Sequence, residues 1–201
     1  MKLAIIGASG HGKVIADLAE KNGYSEIEFY DDDESVLKCG KWPVVGRSEL
    51  AASSGGDIFI GVGNAAIRKQ LMDRFRGCRF PVLIHPSAVV ADDVTIGEGS
   101  AVMAGAVINP GTKLGRGVII NTCSSVDHDC TIGDFVHVSV GAHLCGTVTV
   151  GERTWIAVGV SVVNNVSICA DCMIGAGAVV VNSIEHPGVY LGVPAKRKGN
   201  V

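Results

Sequence analysis

The chain has 201 residues, 47% of them apolar but only 5% aromatic, with 27 glycines and a formal charge of −3. It reads as a folded protein whose core is built from small and branched side chains rather than large rings. The balance of charge supplies no basic face for nucleic acid and no polybasic anchor for a membrane surface.

Between Lys2 and Gly7 stand only Leu3, Ala4, Ile5 and Ile6, too few for a signal-peptide core, and no later apolar run approaches the length of a bilayer span. No membrane insertion by this chain and a cytoplasmic location are expected. Seven scattered cysteines fit reduced thiols better than a disulfide framework. Cys169 and Cys172 are the one close pair. Without a second Cys or His pair at zinc spacing they read as small buried hydrophobes, and no metal is expected.

Residues 3–6 predict a strand, residues 13–22 a helix, and residues 27–30 a strand that runs into Asp31, Asp32 and Asp33. A further strand over 58–62 leads through Gly63 and Asn64 into a helix ending near Arg74. Alternating strand and helix implies a small Rossmann-like parallel sheet, an α/β domain over 1–80. The first turn, Gly7, Ala8, Ser9, Gly10, His11 and Gly12, brings glycines and backbone N–H groups to a helix start, an arrangement suited to phosphate. It is not the G-x-G-x-x-G fingerprint, and alone it is a weak signal. Ser9, Gly10, His11, Asp31, Asp32, Gly63 and Asn64 nevertheless all fall at carboxyl ends of parallel strands, where open α/β sheets bind ligands, so a nucleotide is the expected occupant.

From residue 81 onward the pattern changes. Every sixth residue from Val90 to Val180 is a branched aliphatic, sixteen in succession without an insertion. A six-residue period is neither helix nor simple strand, so each hexad is one unit placing one aliphatic inward, and the units stack as a β-solenoid. Gly97, Gly115, Gly133 and Gly151 recur every eighteen residues. One coil is therefore three hexads, with glycine at one corner, where the expectation is that the backbone needs its freedom.

Most outward solenoid positions are small or polar. The exception is the segment from Asn121 through Asp127, His128 and Asp129, followed by His137 and His143. A histidine beside a carboxylate can have its tautomer fixed and its basicity raised, which suits it to take a proton from an attacking amine. Cys123, Cys130 and Cys145 have no adjacent base at readable spacing and read as structural.

Six motifs, taken together, resemble a known family. They are the opening Gly-Ala-Ser-Gly-His-Gly, the Asp-Asp after the second strand, Gly-Val-Gly-Asn-x-x-Ile-Arg at 61–68, Val-Asp-His-Asp at 126–129, His-Val-Ser-x-Gly-Ala at 137–142 and Gly-Val-Pro-Ala-Lys at 192–196. They are similar to those of the hexapeptide-repeat sugar N-acetyltransferases that make bacillosamine-type sugars, with perosamine N-acetyltransferases and sialic acid O-acetyltransferases as relatives. The resemblance implies a left-handed parallel β-helix over 81–201, a homotrimer, and acetyl-CoA lying along the solenoid between subunits. It implies His128 as general base with Asp129 supporting it, although the family often has Glu there. It places His137, Gly146, Val158, Ala176 and Lys196 at the cofactor, with Arg197 beside the phosphates, and Asn121 at the sugar. The implied reaction moves an acetyl group to the 4-amino group of a nucleotide-linked, UDP-type sugar. Sialic acid O-acetylation, and a scaffold or zinc-binding β-helix using His128, His137 and His143, are the alternatives. The Asp129 partner and the nucleotide-type domain weigh against zinc.

Overall fold

A computed structural model describes residues 1–199 as two compact units, Met1–Pro86 and the residues from Ser87 on. The first unit is a twisted sheet centred on β1 (Lys2–Ile6). β2 (Glu26–Tyr30) and β5 (Asp57–Ile60) pair parallel with it on either side, and β4 (Trp42–Gly46) extends the sheet parallel to β2. A short β3 (Lys38–Cys39) closes the edge antiparallel to β4. Leu3, Ala4, Ile5, Phe29, Ile58 and Phe59 are all buried, the continuous apolar run of a parallel sheet covered on both faces.

α1 (Gly10–Lys21) lays Ile15, Ala16, Leu18 and Ala19 into the core, and α2 (Ala65–Arg74) follows β5. The predicted elements lie within one to three residues of these bounds at most ends. The β3/β4 hairpin and the 3-10 turn Ser48–Ser54 are additions. Residues 42–46 carry Pro43 and show no deep burial, so neither periodicity nor composition marks them. With β2 and β5 on opposite sides of β1, the loops leaving β1 and β5 diverge at the carboxyl edge, a topological switch point.

The second unit is a left-handed parallel β-helix. Its two-residue strands pair in register with the strand eighteen residues on, for example Val107 with Ser125 and Ser125 with His143. Three faces result. The first holds strands such as Ser125–Val126 and His143–Leu144, the second Lys113–Leu114 and Thr131–Ile132, and the third Ile119–Ile120, His137–Val138 and Trp155–Ile156. From Val102 to Val180 each sixth aliphatic is at most 5% exposed, so each contributes roughly 1.5–3 kcal/mol of burial to the column.

A second inward column runs beside it, through Ala106, Thr112, Val118, Ser124, Cys130, Val136, Ala142, Val148, Thr154, Val160, Val166, Cys172 and Ala178, all buried. Its hydroxyls are satisfied by the corners: Thr112 Oγ1 donates to Asp127 O at 2.8 Å and Thr154 Oγ1 to Cys169 O at 2.9 Å. Cys130 and Cys172 fill this column as small apolar side chains.

The corners correct one expectation. Gly97, Gly115, Gly133 and Gly151 are not in the left-handed region. A Cβ on Gly133 would stand 2.7 Å from Glu152 N, and one on Gly97 2.5 Å from Arg116 N. These glycines supply space for the next coil's backbone, not conformational freedom. The left-handed residue is found two positions later, at every sixth residue from Gly99 to Gly177, and it includes Cys123, Asp129, Phe135, Thr147 and Arg153 as well as glycines.

Candidate active site

In the first unit, Gly7 turns the chain at φ +105° and Gly12 packs so closely on it that a Cβ would strike Gly7 O. Asp31 braces this turn: its carboxylate accepts from Ala8 N at 2.7 Å and from Asp33 N at 3.0 Å. Asp32 accepts from Ser48 N and Ser48 Oγ at 3.0 and 2.9 Å, and these bonds hold its carboxyl below the usual range. Ser9 begins α1 without a side-chain cap, so Ser9, Gly10 and His11 stand at the positive end of a helix dipole. Burial, with the nearby Arg68 guanidinium, pushes the His11 imidazole down to about 4, so it is neutral at physiological pH.

Asn64 caps α2 by accepting from Ile67 N at 3.1 Å, and Gly63 O accepts from Arg68 Nη1 at 2.9 Å. Arg68 is 1% exposed and also donates to Val62 O. It holds the loop after β5 from below, a role that its place in the middle of a helix does not reveal.

In the second unit, His128 and Asp129 occupy the corner between the first and second faces. His128 Nδ1 lies 2.8 Å from Asp129 Oδ2. A carboxylate only accepts, so Nδ1 carries the hydrogen and Nε2 keeps its lone pair. That hydrogen bond raises the imidazole above its ordinary value, with Asp127 and Asp129 adding attraction and partial desolvation opposing them. Asp127 Oδ1 accepts from His128 N at 2.8 Å and from Asn109 Nδ2 at 2.7 Å, which keeps its own carboxyl low. Cys130, just below, is pushed up by burial and donates toward Cys145 O, so it is no thiolate nucleophile.

Asn121 and His137 meet elsewhere, along the edge where the third face turns into the first. Asn121 Nδ2 lies 3.1 Å from His137 Nε2. The His137 ring stacks on Trp155, centroids 6.2 Å apart and 18° from parallel, and Trp155 Nε1 donates to Ser139 Oγ at 2.7 Å. Along the same edge the exposed Val140, Val158 and Ala176 repeat every eighteen residues. The third face then continues through Trp155–Ile156, Cys172–Ile174 and Gly188–Leu191 to Lys196–Arg197. Four strand steps separate His137 from Lys196, about 19 Å at the usual spacing. The candidate cofactor residues are thus collinear apart from Gly146, which sits in the His128 corner, and within one chain the His128 corner lies across the first face from them.

His128, His137 and His143 fall on a corner and two different faces, and His143 Nδ1 pairs with Ser125 Oγ at 2.9 Å. Among the described residues no cluster of three His, Cys, Asp or Glu could hold a metal, and no helix is long and apolar enough to cross a membrane. Cys169 and Cys172 are free thiols 3.5 Å apart, the latter pushed up to about 12 by burial and its neighbour.

The chain is similar in sequence and fold to known proteins. A profile for the PglD N-terminal domain matches residues 2–75. The acetyltransferase domain of PglB from Neisseria gonorrhoeae FA1090, solved with acetyl coenzyme A, is 43% identical and superposes with a TM-score of 0.93 over 98% of each chain. PerB from Caulobacter crescentus, solved with CoA and GDP-perosamine, is 39% identical with a TM-score of 0.92, covering 99% of this chain and 98% of that one. The UDP-N-acetylbacillosamine N-acetyltransferase of Bacillus subtilis (strain 168) is 38% identical over 110 residues, 51% of each chain. The chain therefore aligns with about half the length of that curated relative.

Proposed function

Because the chain belongs to the hexapeptide-repeat sugar N-acetyltransferases, we propose that it moves the acetyl group of acetyl-CoA to the 4-amino group of a UDP-linked amino sugar. The observation that carries this reading is the His128 tautomer. With Nδ1 committed to Asp129, Nε2 is a base whose proton affinity is raised toward neutral pH.

The neutral amine attacks the thioester carbonyl and forms the C–N bond, and His128 Nε2 takes its proton. The oxyanion is met by the Gly146 N–H. Collapse breaks the C–S bond, and the proton on His128 passes to the departing thiolate. No acyl-enzyme forms, in keeping with buried Cys130. Asp129 orients the ring and favours the imidazolium that appears during transfer.

The line from His137 over Val158 and Ala176 to Lys196 and Arg197 suits an extended acetyl-CoA, with the acetyl end at His137, the sugar beside it at Asn121, pantetheine on the apolar column and phosphates at the basic end. Its separation from the His128 corner within one chain supports a homotrimer in which one subunit's cofactor line faces its neighbour's base. The first unit takes the nucleotide, with diphosphate at Ser9, Gly10 and His11 and the loop at Gly63 and Asn64 beside it, while Asp31 and Asp32 shape the pocket. The cytoplasm, where acetyl-CoA and nucleotide sugars are made, is the fitting location.

Thiol release from acetyl-CoA, measured with UDP- and GDP-linked 4-amino sugars and with sialic acid, tests this. Rapid turnover of the UDP sugar, lost in His128→Ala with acetyl-CoA still bound, is expected. Preference for sialic acid would replace N- with O-acetylation, and no release with any acceptor would refute the enzyme reading.

A further inference from the structure

We infer that Gly146 is a glycine on account of His128: its missing side chain is the seat of the base, and a Cβ at this position would displace the proton-accepting nitrogen. The inference rests on the assignment of His128 as base and adds a positioning role distinct from the N–H that Gly146 offers.

The eighteen-residue register puts Pro110, His128, Gly146 and Asn164 at one position in four successive coils. Thr147 N donates to His128 O at 2.8 Å and Asn165 N to Gly146 O at 3.1 Å, so the backbone ladder is the same at each step. Three of the four positions carry side chains. Gly146 is also outside the left-handed region, so neither the fold nor the local backbone requires glycine there. What requires it is the histidine one coil earlier. A Cβ on Gly146 would meet His128 Nε2 first, Cε1 at 2.6 Å and Cδ2 at 3.0 Å. Gly146 is buried although it lies at a corner flanked by exposed Cys145 and Thr147.

The other side of the pair is shaped in the same way. A Cβ on Gly111 would clash first with Asp129 Oδ1, with Asp129 Cγ 3.3 Å away. Gly111 has φ +76°, however, so its backbone demands glycine as well, and only Gly146 separates the two causes. The imidazole and its carboxylate are therefore set between two vacant side-chain positions, one coil before and one coil after.

His128 is exposed and its ring can swing away, so an alanine at 146 yields a folded protein with a misplaced base rather than an unfolded one. The groups facing the ring are Asp127, Asp129 and the Gly146 backbone; once the ring leaves Asp129 its tautomer is no longer fixed.

The test compares wild type, Gly146→Ala and Asn164→Ala, the same position one coil later. Histidine nitrogen NMR reads the His128 tautomer, calorimetry reads acetyl-CoA binding, and thiol release reads turnover. In Gly146→Ala, kcat should fall about 100-fold, the lower bound for a general base, with acetyl-CoA affinity unchanged and the Nδ1–H signature lost. Asn164→Ala should match wild type. In a His128→Ala background the alanine at 146 should cost nothing further, because its effect runs through the ring. Wild-type kcat in Gly146→Ala would overturn the inference, as would weakened acetyl-CoA binding with an unchanged His128 spectrum, which would assign the glycine to the cofactor. If wild type turned over no amino sugar, the functional reading would fail, while the NMR comparison would still decide whether Gly146 seats His128.

Discussion

Asp129 reaches His128 from a left-handed backbone: at φ 58° its Oδ2 sits 2.8 Å from the Nδ1 of the residue before it. Asn and Asp tolerate this region better than other side chains, so at this corner the conformation and the chemistry favour the same residue. Asp129 raises the His128 pKa above its ordinary value. A base of raised pKa loses its proton, and so becomes active, only at higher pH. Replacing Asp129 with Ala should therefore move the acidic limb of kcat/KM to lower pH while its plateau falls about tenfold or more, as the ring loses orientation and basicity. A limb that stays in place in a pH-rate profile would show that Asp129 does not set the base.

Thr112 holds this corner from inside. Its buried hydroxyl donates to Asp127 O and accepts from Cys130 N at 3.2 Å, bracketing His128 and Asp129. Thr112→Val keeps the shape but leaves a buried N–H without its partner, at a cost of about 1–3 kcal/mol. Chemical denaturation should show that loss, and kcat should fall with it. Thr154 makes the equivalent bonds to Cys169 O and Cys172 N far along the coil, so Thr154→Val should lose similar stability with kcat retained.

The solenoid was legible in the sequence because every hexad commits a branched aliphatic to one column, Val102 to Val180, and the period cannot be mistaken for a helix or a simple strand. The second column was not, because Ala, Thr, Ser, Cys and Val alternate in it and share only small size. Gly133 and Gly141 look alike in sequence, yet the first is needed for space and the second has φ +61°; composition does not separate those causes. The His128/Asp129 pair was visible as neighbours. Asn109 and Asp127 were not visible as partners, since eighteen residues separate them and the register alone brings them to 2.7 Å. Arg68 was hidden for the opposite reason, a charged residue in a polar helix that the fold nonetheless buries.

The space argument for the corner glycines carries its own outcome. In Gly133→Ala the new methyl meets backbone atoms of residues 151 and 152, which cannot turn aside as a side chain could. Overpacking of this kind costs about 1–3 kcal/mol, a fall in melting temperature of roughly 2–4 °C per kcal/mol for a chain of this size. Thr147→Gly should act in the opposite direction. Thr147 is an exposed β-branched residue at φ 60°, where the left-handed conformation costs about 1–2 kcal/mol and the extra chain entropy of glycine returns roughly 0.5–1. A scan in which both variants melted below wild type would contradict the second assignment.

Asn121 and His137 allow the cofactor line to be tested apart from the base. Asn121 Oδ1 accepts from Thr122 N at 2.8 Å, which turns its Nδ2 toward His137 Nε2. His137 Nε2 is then the acceptor in the tautomer with its hydrogen on Nδ1. Stacking on Trp155 fixes the plane, and the Trp155 bond to Ser139 fixes the stack. Removing one neutral hydrogen bond from this chain, as in Asn121→Ala, is worth about 0.5–1.5 kcal/mol, a two- to tenfold rise in the KM for acetyl-CoA. Because Asn121 is uncharged and its bonds run to His137, Thr122 and Ser124, its loss should leave the acidic limb of kcat/KM in place even where this edge faces a neighbour's base. A shifted limb would instead place Asn121 in contact with His128 across subunits, and an unchanged KM would remove this edge from the cofactor site.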